Sequence, residues 1–77
     1  MNVKIYTTPT CNFCHAEKEF FKKHSIEFQE FDVFADAKAR EEMIQKTGQL
    51  GVPVTDVGGQ IVIGFDRGKL IQLLGIK

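Results

Sequence analysis

The chain has no tryptophan, one tyrosine, two prolines and only two cysteines among its 77 residues. Two cysteines are too few for the disulfide framework of a small secreted scaffold. Lysine plus arginine equals aspartate plus glutamate at ten each, so the formal net charge is zero and no basic field would hold nucleic acid. No apolar run is long enough to cross a bilayer. The sequence therefore predicts neither a nucleic-acid partner nor a membrane partner.

The length predicts one small domain over residues 1–77 with a modest core, because a chain of this size buries only about 60% of its unfolded surface. Seven phenylalanines enlarge that core, since each aromatic ring buries a large area. The first residues, MNVKIY, lack the charged and apolar regions of a signal peptide. We therefore expect a cytoplasmic monomer, in a compartment whose reducing pool keeps thiols reduced.

The two cysteines, Cys11 and Cys14, lie three residues apart between a predicted strand and a predicted helix. A Cys-x-x-Cys pair at the start of a helix can open and close as a disulfide. Unpaired N–H groups and the helix dipole favour an anion there, and they lower a thiol pKa from its free value of about 8.5. We therefore predict that Cys11 is the attacking thiolate. Cys14, shielded one turn on, would resolve the mixed disulfide.

Three other interpretations of the cysteine pair are weaker. The two side chains could pack as small apolar groups. Together with His15 the cysteines match the Cys-x-x-Cys-His motif of c-type haem attachment. Such attachment needs export of the protein and usually an all-helical fold around the haem, and this sequence indicates neither. A zinc site would need His24 as well, but His24 lies near the far end of the same helix, about 15 Å away. No metal site is predicted.

Hydrophobic periodicity and turn residues predict seven elements in the order βαβαββα. The predicted strands cover 3–6, 26–33, 54–57 and 60–63, and the predicted helices cover 12–23, 37–47 and from 66 or 67 to 74. The strand over 26–33 is predicted to be buried. Asp36 would cap the second helix, and Gly48 would end it. Gly58–Gly59 suits a two-residue hairpin turn.

Three helices would flank the resulting four-stranded mixed sheet. In the first helix Phe13, Phe20 and either Ala16 or Glu17 follow the helical spacing of an apolar stripe. The predicted apolar face of the last helix is formed by Leu70, Ile71, Leu73 and Leu74. The first two strands should be parallel, because a helix connects them.

This order, with Cys-x-x-Cys after the first strand and Val52–Pro53 before the third, resembles the thioredoxin fold. The short form without extra N-terminal elements resembles a glutaredoxin. The resemblance covers essentially the whole chain and is carried by residues 6–15, 51–54, 58–59 and 63–66. It implies an α/β minimal thioredoxin fold and a thiol–disulfide oxidoreductase that reduces protein or mixed disulfides. It also implies a cis bond before Pro53, facing the cysteines.

The resemblance implies a substrate-binding surface around Cys11 and Cys14, formed by Thr8, Phe13, Val52, Pro53, Gly64, Phe65 and Asp66. The Val52 backbone would pair with an extended substrate segment. Phe13 would either contact partners or pack in the core with Phe20. Asp66 would either cap the last helix or meet a substrate amine.

Four departures from common glutaredoxins bear on the reductant. The redox motif is Cys-Asn-Phe-Cys rather than Cys-Pro-Tyr-Cys. Thr8 replaces a frequent lysine that helps hold the glutathione carboxylate, Val52 replaces a frequent threonine, and Arg67 stands at a position that is often acidic. The segment Ile63–Asp66 lies between the glutathione-binding pattern and the Ser-Gly-Phe-Arg ending of small redoxins recharged by thioredoxin reductase. These departures slightly favour a flavoprotein of the thioredoxin reductase type over glutathione.

We expect no tightly bound cofactor, disulfide-containing proteins as substrates, and glutathione as the other candidate cosubstrate. Two further classes of function stay open. In one, Cys11 and added glutathione hold an iron–sulfur cluster. In the other, a redox-inert adaptor uses the surface around Phe13 and Pro53.

Overall fold

A computed structural model describes residues 2–76 and has the seven elements in the expected order; the first and last residues of the predicted domain lie outside the described part. The strands are β1 (Val3–Thr7), β2 (Gln29–Asp32), β3 (Val54–Val57) and β4 (Gln60–Ile63). The helices are α1 (Asn12–Lys23), α2 (Ala37–Thr47) and α3 (Arg67–Leu74). The strand order is β2-β1-β3-β4, with β1 parallel to β2 and the other neighbours antiparallel. The predicted minimal thioredoxin fold is confirmed.

The two faces of the sheet carry separate apolar clusters, because side chains alternate between faces along each strand. One face encloses a cluster with α1 and α3: Val3, Ile5, Phe20, Phe21, Val57, Val62 and Leu70. The other face encloses a cluster with α2: Tyr6, Val33, Ala39, Met43 and Val54. The first cluster holds α1 against the sheet, and this fixes the position of its N-terminal end.

The second strand is shorter and more exposed than the buried strand predicted over 26–33. Ser25 has a φ of 57°, and the Ile26 amide donates to the Phe21 carbonyl at 2.8 Å, so Ile26 closes the end of α1. β2 then pairs with β1 alone at the edge of the sheet, where its residues are exposed or half-buried. The prediction was wrong because alternation of apolar residues does not distinguish a helix end from a strand.

The predicted helix ends are confirmed. Asp36 accepts hydrogen bonds from two amides in the first turn of α2, and Gly48 ends that helix with a φ of 72°. Asp66 caps α3 by accepting from one amide, that of Lys69, and Gly75 ends that helix with a φ of 68°. The positive φ values of 57° at Gly58 and 98° at Gly59 fit the predicted hairpin turn between β3 and β4.

One predicted core position of α3 is wrong. Leu70 is fully buried, but Ile71 is 37% exposed. Neighbouring residues of a helix point in directions about 100° apart, and α3 turns Leu70 toward the sheet, so Ile71 points away from the core.

Candidate active site

Cys11 is the N-cap of α1, with extended backbone angles of −91° and 109°. Its Sγ accepts a hydrogen bond from the Cys14 amide at 3.1 Å. Its own amide donates to the Thr8 carbonyl at 3.3 Å, which fixes the loop that leads into the helix. The Cys14 amide is one of the donors that have no partner within a helix. The sulfur of Cys11 is therefore placed where a negative charge is stabilised.

Cys11 and Cys14 form a disulfide, with their Cα atoms 5.2 Å apart. Cys14 is 1% exposed, whereas Cys11 is half-buried. This difference in exposure separates the two sulfurs chemically, because an incoming thiol or disulfide can approach only the sulfur that solvent reaches. The outer sulfur is that of Cys11.

The Val52–Pro53 segment lies at the same end of the sheet as the cysteines. Its peptide bond is cis, as the resemblance implied. Tyr6 of β1 pairs with Val54 of β3 in an antiparallel ladder, so β3 begins at the edge where β1 ends and where the loop to Cys11 leaves. The Gly64 amide donates to the Pro53 carbonyl at 2.8 Å and joins the end of β4 to this edge.

Phe13 and Thr8 lie on the outside of the site. Phe13 is 68% exposed, which excludes the interpretation that it packs in the core. Thr8 is half-buried and lines a shallow cavity of about 140 Å³ together with Pro9, Thr10 and Phe34. Both residues are available to a partner that approaches Cys11.

Phe65 and Asp66 both make contacts that stabilise the fold. The Phe65 ring packs edge-on against Phe20, with 5.8 Å between ring centroids. The Asp66 carboxylate accepts from the Lys69 amide at 3.1 Å, which is the capping role. Contact of either residue with a substrate stays a prediction.

Glu17 is a residue of this region that the sequence reasoning did not single out. It is 0% exposed, its Oε2 accepts from the Thr55 hydroxyl, and its Oε1 has no hydrogen-bond partner among the described residues. Burial raises the pKa of Glu17 to about 7, against the lowering effect of the Thr55 hydrogen bond. The available signal was a carboxyl on the apolar stripe, three residues after Cys14 and three before Phe20.

Residues 2–76 contain no group of three or more His, Cys, Asp or Glu side chains that could hold a metal ion. No helix in that part of the chain is long and apolar enough to span a bilayer.

The protein combines a thioredoxin fold with a disulfide whose accessible sulfur lies at a helix N-terminus. This combination is typical of one class of protein, the thiol–disulfide oxidoreductases of the thioredoxin fold. Comparison with known proteins narrows the class. The family model for glutaredoxin matches residues 3–62. The chain belongs to the glutaredoxin family.

Individual relatives agree with the family. Glutaredoxin 3 of Escherichia coli K12 is 38% identical over 80 residues, which cover 95% of this chain and 96% of that protein. The crystal structure of the thioredoxin-like protein BC3987, mutant T8A, superposes with a TM-score of 0.94 at 36% identity and covers 99% of this chain and 97% of that one. The NrdH-redoxin of Escherichia coli, described as a glutaredoxin-like protein with a thioredoxin-like activity profile, has a TM-score of 0.79 at 25% identity and covers 100% and 96%.

Proposed function

We propose that this protein is a dithiol disulfide reductase that acts on protein or mixed disulfides. The Cys11 thiolate attacks a substrate disulfide, forms a mixed disulfide and releases the first substrate thiol. Cys14 then attacks the Cys11 sulfur, releases the second substrate thiol and leaves the Cys11–Cys14 disulfide. The observation that carries the proposal is the asymmetry of the pair. Cys11 is accessible and bonded by a helix amide, whereas Cys14 is buried.

The electron donor that we propose is a flavoprotein of the thioredoxin reductase type, with glutathione as the other candidate. Thr8 offers no ammonium group to a glutathione carboxylate. Arg67 replaces an acidic residue, and its guanidinium lies over the Phe20 ring at 5.5 Å from the centroid. Likeness to the NrdH-redoxin supports the flavoprotein, and likeness to Glutaredoxin 3 supports glutathione.

Turnover of a small disulfide with each reducing system tests the choice of donor. We expect faster turnover with NADPH and a thioredoxin reductase than with glutathione and glutathione reductase. One missing charged hydrogen bond costs about 1.5–3 kcal/mol, or about tenfold or more in rate at low glutathione concentration. A Thr8→Lys variant is the matched control and should gain activity with glutathione alone. Robust turnover with glutathione and none with any thioredoxin reductase would overturn this choice.

The proposal places the reaction in the cytoplasm, with the protein acting as a monomer on disulfide-containing proteins. The alternative, an iron–sulfur cluster held by Cys11 and added glutathione, predicts a coloured protein after anaerobic purification. The adaptor alternative predicts that Cys11→Ser leaves function intact.

A further inference from the structure

Glu17 lies one turn after Cys14 on the buried face of α1. Residues three apart on a helix are neighbours, with Cβ atoms about 5–6 Å apart, so Glu17 and Cys14 share one face of α1. Helical side chains lean toward the N-terminus of their helix, which directs Glu17 toward the turn that holds Cys14. Both residues are buried, and the Thr55 hydroxyl on β3 contacts Glu17 from the sheet. Thr55 pairs with Ile5 of β1, so its side chain lies on the sheet face that α1 covers.

Most buried polar side-chain atoms are hydrogen-bonded, because an unpaired one costs about 1–3 kcal/mol. Oε1 of Glu17 is unpaired, and no salt bridge to Glu17 is present within residues 2–76. The hydrogen bond from Thr55 therefore satisfies only one of the two oxygens of the Glu17 carboxyl. One oxygen of a buried carboxyl, on the same helix face as Cys14, is therefore free to take up a proton.

No charged group facing Glu17 offers an alternative explanation. The elements packed against its face of α1 contribute uncharged side chains there: Ile5 and Thr7 from β1, Thr55 from β3, Val62 from β4 and Leu70 from α3. Two charged side chains of β2, Asp32 and Glu30, lie on that sheet face. Asp32 accepts hydrogen bonds from the Phe34 and Ala35 amides at 2.9 and 3.3 Å. Glu30 is held by the Lys18 ammonium at 2.9 Å and by the Thr7 hydroxyl at 2.8 Å.

We propose that Glu17 accepts the proton of Cys14 when the mixed disulfide is resolved, and returns a proton to Cys14 when the Cys11–Cys14 disulfide is reduced. This assignment rests on the disulfide reductase function proposed above. It adds a residue that no part of the Cys-x-x-Cys motif specifies.

Resolution of the mixed disulfide moves one proton and breaks one sulfur–sulfur bond as another forms. The Cys14 thiol gives its proton to the Glu17 carboxylate and becomes a thiolate. The thiolate attacks the Cys11 sulfur, and the bond between Cys11 and the substrate sulfur breaks with its electron pair on the substrate sulfur. The dithiol is thereby oxidised by two electrons and the substrate disulfide is reduced. Glu17 keeps the proton until it exchanges with solvent or until the disulfide is opened again.

Cys14 needs such a partner because it is 1% exposed, and burial raises a thiol pKa and keeps bulk water from removing the proton. A general base is most effective when its pKa lies near the working pH, since both protonation states are then populated. Burial brings the pKa of Glu17 to about 7, which meets this condition near neutrality.

Stopped-flow reaction of the reduced protein with one equivalent of 5,5′-dithiobis(2-nitrobenzoate) separates the two chemical steps. The first coloured thiolate is released by attack of Cys11, and the second by attack of Cys14. For Glu17→Gln we expect an unchanged first phase and a second phase slowed by about tenfold or more near neutral pH. The rate of the second phase should rise with an inflection near pH 7 in the wild type and lose that inflection in Glu17→Gln. Glu19→Gln, an exposed carboxyl on the same helix, is the matched control and should behave as wild type.

Thr55→Val gives a second test, which distinguishes a proton-transfer role of Glu17 from a purely structural role. Because the Thr55 hydroxyl stabilises the carboxylate, its removal should move the inflection of the second phase to higher pH. An unchanged second phase with an unchanged pH profile in both variants would overturn the role of Glu17. Absence of the second phase in the wild type would instead contradict the dithiol reductase function itself.

Discussion

We expect Cys11→Ser to lower disulfide-reductase turnover by more than about a thousandfold, because a serine hydroxyl is not ionised near neutral pH and cannot replace the thiolate nucleophile. The helix amide that bonds the Cys11 sulfur has no comparable anion to stabilise in the variant. Turnover of a protein disulfide with the preferred reducing system measures the loss.

Cys14→Ser is the matched variant for this prediction. It keeps the accessible thiol, so it should still attack a substrate but stall as a covalent adduct visible on a non-reducing gel. Cys11→Ser should form no such adduct. Equal adduct formation by the two variants would contradict the assigned roles, since the structure makes only one sulfur accessible.

The second large effect is a fall in folding stability with rising pH caused by Glu17. Burial raises its folded-state pKa to about 7 from the ordinary 4.5, so the folded protein binds more protons than the unfolded chain between these values. Stability from this group is therefore complete below pH 4.5, falls as pH rises to about 7 and levels off above. At 1.36 kcal/mol for each pKa unit the fall is about 3 kcal/mol.

The difference in unfolding free energy between Glu17→Gln and wild type isolates this term, because other titrating groups contribute equally to both proteins. Chemical denaturation of the oxidised proteins should show this difference change with pH. Between pH 4.5 and about 7 the unfolding free energy of Glu17→Gln should rise by about 3 kcal/mol relative to that of the wild type. Glu19→Gln, which replaces an exposed carboxyl on the same helix, is the matched control. A flat difference for Glu17→Gln would mean that the carboxyl ionises in the fold as readily as in the unfolded chain.

Local sequence signals were enough for most of the fold. Capping aspartates, the glycines that end α2 and α3, and the glycine pair of the hairpin each act within a few residues, so their effect can be read without the tertiary structure. The cysteine pair is equally local. Its position after one strand and before one helix predicted the place of the pair at the N-terminus of α1, where the structure has it, whereas the roles of its two sulfurs stay a prediction.

The features that the sequence did not predict depend on tertiary packing, that is, on which side of a helix or strand contacts the sheet. The extent of β2 was overestimated because its edge position follows from strand order, and periodicity does not encode strand order. Spacing alone allowed Phe13 to be in the core and left Ala16 and Glu17 equivalent. Packing of α1 on the sheet exposes Phe13 and buries Glu17, against the ordinary preference of a carboxyl for water.

We infer that the helix N-terminus holds the Cys11 sulfur as a thiolate near neutral pH. Alkylation of the reduced protein by iodoacetamide as a function of pH, with the modified residue mapped by mass spectrometry, tests it most directly. We predict that Cys11 is alkylated first, with an apparent pKa below the free-thiol value of about 8.5. Ionisation no easier than that of free cysteine, with Cys14 modified before Cys11, would contradict the account.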